Sequence, residues 1–386
     1  MEQVTKLEER MTTDKGDFPH YMIKEIFEQP QALRDTVSPR VSLQDAVVKL
    51  EDVRIHPEAL RGLRRINIAA SGTSRHAGLA GQYMIQELAN IPVDVDYASE
   101  FEYRNSTMGP GEITIVITQS GETADTSSAQ REAKARGSYT IAISNVVDST
   151  IAREADGLLY THAGREISIA STKAFTAQMA VLFVFGLYLG QVRGKLLKDD
   201  RRQYIRELLD LPGKIETVLQ AASEIQKLAD RYHSFDDFLF MGRAIHYPVA
   251  MDGALKLKEV SYIHAEGYPT GETKHGPLAL IDEHLPVVIL ATCDRKDNGS
   301  VTRYEKTIAN IKSFKAQGGR IIAIGSEGDE DLKKLADHTI LIPQACELLT
   351  PILEIVPLQL FAYYVAVRRG LDVDRPRNLV KSVSVE

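Results

Sequence analysis

Two kinds of periodicity alternate along this chain. Short runs such as "RRINIAA", "EITIVIT", "GSYTIAIS" and "EADGLLY" are apolar at nearly every position and rich in β-branched residues. That is the pattern of parallel strands covered on both faces. Between most of them lie stretches with helical spacing of apolar residues, for example "ADTSSAQREAKARG". The runs then recur in the same order as "DDFLFMG", "HLPVVILA", "GGRIIAIG" and "LADHTILI". The pattern predicts two α/β domains of one doubly wound parallel-sheet design, related by duplication, at residues 46–195 and 233–370.

Three further segments surround this pair. Within residues 1–45, "HYMIKEIFEQPQALRDTV" reads as an amphipathic helical arm. Residues 196–232 read as a helical linker broken at Leu211-Pro212-Gly213. After a helical stretch, "PLQLFAYYVAVRRG", the tail 371–386 is rich in Pro and β-branched residues, which predicts an extended or irregular course.

Composition narrows the class. The chain has 386 residues, 44% of them hydrophobic and 26% charged, which suits a soluble globular protein. Its formal charge of −7, with no basic block or aromatic-interleaved basic stripe, argues against nucleic acid as a partner. Two distant cysteines, Cys293 and Cys346, form no disulfide framework or thiolate metal site and favour a reducing compartment. The charged amino terminus lacks the apolar core of a signal peptide. "AQMAVLFVFGLYLGQV" is too short to span a bilayer comfortably and reads as a buried helix. The expectation is a cytoplasmic protein with no membrane partner.

Chemistry gathers where strands meet helices. In an open parallel sheet, ligands bind outside the carboxyl ends of the strands, where helix N-termini favour anions. "ITQSGET" places Gln119, Ser120, Gly121 and Thr123 there, with Ser120 and Thr123 at the N-cap and third-residue positions of a helix. "SGTS", Ser71 to Ser74, ends the preceding strand similarly. Two such loops suggest a phosphate site without a lysine-bearing P-loop, although helix capping alone explains each loop singly. "IASTKAFTAQ" is a third hydroxyl-rich helix entrance, capped by Ser171 or Thr172. Lys256 and Glu259 share a face of a largely buried helix, where burial drives both pKa values towards neutrality and suits proton transfer. His275, in a glycine-flanked loop, can act as an acid or base; His264, inside an apolar run, reads as structural. The histidines lack metal-ligand spacing, so neither metal nor cofactor is expected.

Taken together, "SGTS", "QSGETADT", "ASTKAFT", "GALKLKE", "HAEG", "KHGPLALI" and "PRNLVKSVSVE" resemble the sugar isomerase (SIS) domain pair of the glucosamine-6-phosphate synthase family. The likeness runs from "HYMIKEIFEQP" to the last residue. It implies that Thr73, Ser74, Gln119, Ser120 and Thr123 bind the phosphate of fructose 6-phosphate, with the Thr118 hydroxyl where the family often has serine. Ile169 and Ser171 touch the sugar by that likeness. By the same likeness Glu259 would move the proton between its first two carbons, and Lys256 would help to hold the open chain. His275 assists ring opening from the neighbouring subunit of a homodimer, and Lys381 contacts the sugar and forms an imine with its ketone when ammonia is absent. The products implied are glucosamine 6-phosphate with ammonia, or glucose 6-phosphate by isomerisation alone.

Val380, Asp252 and Arg75 depart from the residues usual in that family. The complete family enzyme also carries an amino-terminal glutaminase domain with a cysteine nucleophile. Neither Cys293 nor Cys346 is placed for that role, so the expectation is an isomerase half, natural or excised from a longer chain, that uses free ammonia or a glutaminase in trans or carries out isomerisation alone. Two other readings stay open: an SIS-type deaminase or deglycase of amino sugars, and a non-catalytic phosphosugar sensor. The proton-transfer residues argue against the sensor.

Overall fold

The computed structural model describes residues 14–104 and 108–382. Residues 1–13 of the expected arm and the last four of the tail lie outside that range. Strands β1 (Arg65–Ala70), β2 (Val93–Tyr97), β3 (Glu112–Ile117), β4 (Tyr139–Ser144) and β5 (Gly157–Tyr160) form the first sheet, in order β2-β1-β3-β4-β5. The second contains β6 (Asp237–Gly242), β7 (His264–Pro269), β8 (Pro286–Ala291), β9 (Arg320–Ser326) and β10 (His338–Ile342), in order β7-β6-β8-β9-β10. All pairings in both are parallel. Each order reverses after its first strand, so each sheet has a topological switch point between its first and third strands, β1/β3 and β6/β8.

Four strands of each sheet coincide with the apolar runs. The fifth, β2 or β7, was not marked as a strand from the sequence. Both are edge strands of mixed burial, "VDVDY" and "HAEGYP", and lack the continuous apolar signal of their covered neighbours.

The helices used below are α1 (Tyr21–Phe27), α2 (Gln29–Val37), α3 (Gly72–Ala89), α4 (Ala124–Ala135), α5 (Lys173–Val192), α6 (Lys198–Gln220), α7 (Ala222–Tyr232), α8 (Tyr247–Ser261), α9 (Asn298–Ala316) and α10 (Thr350–Arg368). The arm is thus helical, as α1 and α2. The expected break at Pro212 does not occur: α6 runs through it, and the chain turns instead at Ala221. Buried Leu208, Leu211, Ile215 and Val218 continue the apolar stripe across the proline, and that packing offsets the lost backbone hydrogen bond.

The two domains share their interior. One continuous apolar cluster includes Ile68, Ile115 and Ile143 of the first sheet, Phe240, Leu290 and Ile324 of the second, and α3, α5, α8 and α10 between them. Helices α5 and α10 have the length and apolarity of membrane spans, but 83% and 89% of their most apolar windows are buried here. Separate, smaller clusters fill the outer face of each sheet.

Helix α8 lies hard against β7 because that strand has a glycine at the contact. A Cβ on Gly267 would stand 2.4 Å from the Met251 Cα, a backbone atom that cannot swing aside. Gly267→Ala is therefore expected to push α8 off the sheet and destabilise the fold by about 1–3 kcal/mol, as overpacking does. Urea unfolding of the variant against the parent protein measures this; an unchanged midpoint would contradict it.

Candidate active site

The switch point of the first sheet is occupied by a cavity of about 270 Å³, near the lower end of ligand pockets. Ser71, Thr73 and Ser74 line it from the end of β1, and Thr118, Gln119, Ser120 and Thr123 from the end of β3. Ile169 and Ser171 face it from the entrance of α5. Glu259 comes from the second domain, and Val380 and Lys381 from the tail. Ten of the twelve residues singled out from the sequence thus share one cavity; Lys256 and His275 are not in its lining.

The local geometry corrects the capping assignments. Helix α4 starts at Ala124 with Thr123 as its N-cap, so Ser120 precedes the helix. The chain reaches that start through Gly121 at φ +73°, where an added Cβ would fall 1.9 Å from Ser149 Oγ. Ser71, Thr123 and Thr172 are the N-caps of α3, α4 and α5, yet none uses its side chain as a cap. The hydroxyls of these loops are therefore not consumed by helix termini. Thr118 Oγ1 accepts from Gly121 N at 3.1 Å and lies 3.2 Å from Thr123 Oγ1, folding the loop around the helix N-terminus. Ser74 Oγ accepts from Gln178 Nε2 at 3.0 Å, which ties the first loop to α5.

Lys256 and Glu259 occupy one face of α8, as their spacing predicts. Lys256 is fully buried and its ammonium donates to Glu259 Oε2 at 2.5 Å, while Glu259 keeps 21% of its side chain exposed towards the cavity. The expectation that burial would bring this lysine towards neutrality is overturned. Burial lowers its pKa, but the carboxylates of Glu259 and Asp252 outweigh burial and hold it above the ordinary lysine value. Lys256 stays a cation and can orient or stabilise negative charge; it cannot serve as a free amine. Asp252, one turn earlier, is itself buried and meets His76 Nδ1 of α3 at 3.1 Å, across the domain boundary.

The tail enters the cavity rather than lying loose on the surface. Lys381 Nζ donates to Glu166 Oε2 at 2.7 Å and to the Ser168 carbonyl at 2.6 Å. The other oxygen of Glu166 accepts from Thr172 N and Ala174 N at 2.9 and 3.1 Å, so a carboxylate caps α5 where a hydroxyl was expected. Burial raises the Glu166 pKa, but Lys381 and those N–H groups prevail and hold it below the usual carboxylate range. Ser382 Oγ lies 3.1 Å from Ser120 Oγ. Upstream, Asp374 accepts from Tyr21 N and Met22 N at the start of α1, and its carbonyl accepts from Ile169 N.

The sequence reading missed Glu166, His76, Asp374 and the arm residue Glu25, which accepts from Ile167 N and Ser168 N. Their partners lie far away in sequence, apart from an acid placed shortly before a hydroxyl-rich helix start in "REISIASTK". His275 is exposed, at the end of the 3-10 segment Thr270–His275 and outside its own chain's cavity. His264 is not structural in the sense expected: its side chain is largely exposed at the edge of the second sheet, against Asp237.

The second sheet's switch point opens into a larger cleft, of about 930 Å³. Its buried charges already answer one another. His246 bonds Glu347 at 3.0 Å and Glu354 at 2.7 Å, and Glu347 takes the Arg303 fork at 2.6 and 3.0 Å. Burial opposes the charge on both partners, yet the His246 pKa stays raised and Glu347 lies well below the usual carboxylate range. This cleft has its own carboxylate–lysine contact, Lys214 with Glu207 at 3.2 Å, but its lining includes none of the site residues singled out from the sequence. Among the described residues, no three or more His, Cys, Asp or Glu side chains gather as metal ligands would.

Known proteins share this fold. The SIS domain matches residues 59–187 and 235–369. The chain is 48% identical over 373 residues to the glutamine–fructose-6-phosphate aminotransferase (isomerizing) of Chlorobaculum tepidum, and 47% identical to that of Thermus thermophilus. Those alignments cover 97% of this chain but only 59% and 60% of the relatives. The C-terminal domain of the glucosamine-fructose-6-phosphate aminotransferase of Francisella tularensis superposes with a TM-score of 0.87 at 35% identity, over 94% of this chain and 100% of that one. A glucosamine-6-phosphate deaminase from Thermotoga maritima shares the fold, with a TM-score of 0.71 at 22% identity over 94% of this chain and 99% of that one. With both of its sheets matched by the SIS domain, over more than half of its residues, the chain belongs to the SIS domain family.

Proposed function

We propose that this cavity binds fructose 6-phosphate and carries out the isomerase half of glucosamine 6-phosphate synthesis, adding nitrogen from ammonia. Isomerisation to glucose 6-phosphate is the expected reaction without it. The observation that carries this reading is the meeting of two hydroxyl-and-glycine loops with Glu259 and Lys381 in one cavity. The loops, with the first-turn N–H groups of α3 and α4, suit a phosphate at the non-reacting end of the sugar. That anchor fixes the reacting carbons relative to Glu259 and Lys381.

Glu259 takes the proton from one of the first two carbons and returns it to the other. Lys256, held as a cation, steadies Glu259 and the negative charge that develops on the sugar oxygens. Lys381 faces the ketone; when ammonia is absent its ammonium gives up a proton, and the amine condenses with the ketone, whose oxygen leaves as water. Sensor function is disfavoured because a phosphate site needs neither the buried Lys256–Glu259 pair nor a lysine held in the cavity by Glu166. The nitrogen donor in this reading is free ammonia or a glutaminase in trans. His275, exposed and outside the lining of its own chain's cavity, would in this reading serve the neighbouring subunit of a homodimer. Incubation with fructose 6-phosphate, with and without ammonia, followed by product identification tests the reading; no conversion and no solvent deuterium in the sugar would overturn it.

Phosphate recognition is expected to rest on the β3 loop. Ser120→Ala removes a hydrogen bond to a charged group and should weaken phosphosugar binding by about 1.5–3 kcal/mol, with Thr123→Val adding to the loss. Calorimetric titration with fructose 6-phosphate measures both, and unchanged affinity in the two variants would remove the anion site.

Proton transfer and subunit sharing are tested by one pair of variants. Glu259→Gln should lower turnover by roughly 10²–10⁴-fold with little change in phosphosugar binding. His275→Ala should also be nearly inactive. Allowed to exchange subunits, the two should restore about a quarter of the wild-type sites, because about half of random dimers are hybrids with one complete site. If exchange is demonstrated and no activity returns, His275 acts within its own chain or not at all.

A further inference from the structure

Lys381 reaches the sugar cavity from a cradle that the tail does not build. Its ammonium is held by Glu166 Oε2 and by the carbonyl of Ser168, both on the loop between β5 and α5. Beneath that loop lies Glu25, on α1 of the N-terminal arm. One Glu25 oxygen accepts from Ile167 N and, at 3.2 Å, from Ser168 N. Its other oxygen is buried without a partner, and the whole residue is 1% exposed. A carboxyl with one anchored and one orphaned oxygen, adjoining a second buried carboxylate, is not explained by packing.

We infer that Glu25 is a positioning residue for Lys381: acting through the Glu166–Ser168 loop, it fixes where the amine stands. The inference rests on the proposed place of Lys381 in the sugar site.

The electrostatics agree with the geometry. Burial and the neighbouring charge of Glu166 push the Glu25 carboxyl up to about 8, against the Ile167 N–H, Lys381 and Lys173. The charged groups facing it are thus Glu166 and Lys173 from the loop and α5, and Lys381 from the tail. Lys173 is also paired with Glu28 at 2.7 Å, and Glu28 with Lys24 at 2.7 Å. At neutral pH, Glu25 is uncharged and anchors the loop without adding a second negative charge behind Lys381. Above about 8 it ionises and sets a second negative charge beside Glu166, beneath the loop that holds Lys381.

The sign for stability follows. A carboxyl raised from 4.5 to about 8 contributes stability that is full below 4.5 and is lost as pH rises through about 8. Glu25→Gln keeps a carbonyl for the two N–H groups but cannot ionise, so it should not show that alkaline loss.

The test is acetic anhydride labelling of Lys381 across pH, read by peptide mass spectrometry on the full chain, for wild type, Glu25→Gln and Glu25→Ala. Wild type and Glu25→Gln should label alike on the acid side of about 8 and separate on the alkaline side. There Glu25→Gln should label the faster, because wild type gains a negative charge beneath the loop that holds the ammonium in its cradle. Glu25→Ala, which frees the loop, should label faster at every pH. Superimposable wild-type and Glu25→Gln profiles, with equal alkaline melting temperatures, would overturn the inference even if Glu25→Ala fails to fold. Labelling needs no sugar, so a wild type that does not convert fructose 6-phosphate would refute the proposed function and leave Glu25 to be judged on its own.

Discussion

The burial of one apolar layer between two sheets is the interaction on which the rest of this structure depends. Helices α3, α5, α8 and α10 have no second apolar face to offer solvent, so each domain's inner surface is completed by the other. Non-directional as it is, that contact brings Glu259 of the second domain to the strand ends of the first. The His76–Asp252 contact then fixes the register of α3 against α8. A site assembled from two domains is held as firmly as one built on a single sheet, because moving its halves apart would expose the core.

Within that frame, charge decides what each lysine can do. Lys256 is buried against two carboxylates, which keep it cationic whatever its desolvation. Lys381 lies partly exposed at the cavity wall, held by one carboxylate and one carbonyl. The two lysines are therefore held differently, Lys256 by two carboxylates in a closed core and Lys381 by a carboxylate and a carbonyl at the cavity wall. The separation follows from the number of acids around each and not from burial alone.

The strands covered on both faces were legible because their apolar runs are uninterrupted, and their repetition revealed the duplication. Edge strands β2 and β7 were not, since half their positions face solvent and carry polar residues. The hydroxyl loops were legible as motifs, but which hydroxyl capped which helix was not: Glu166, remote in the reading frame of a helix start, does the capping for α5. The charge state of Lys256 was misjudged for a related reason. Its spacing from Glu259 was visible, while the combined pull of Glu259 and Asp252 inside a closed core depends on packing that no local pattern encodes. Glu25 and Asp374 were invisible because their partners lie over a hundred residues away.

Asp374 accepts backbone N–H groups from Tyr21 and Met22, and seven residues later the same tail delivers Lys381. The chain is thereby fastened end to end, its first described helix bonded to the strap that carries its last described lysine. Mechanically this is a ring with a lever on it: force or torque applied ahead of Tyr21 travels through α1 into the tail without crossing either sheet. Whatever is joined to the amino-terminal side of α1 would have a direct mechanical hold on Lys381, while the hydroxyl loops, anchored in the first sheet, would stay still.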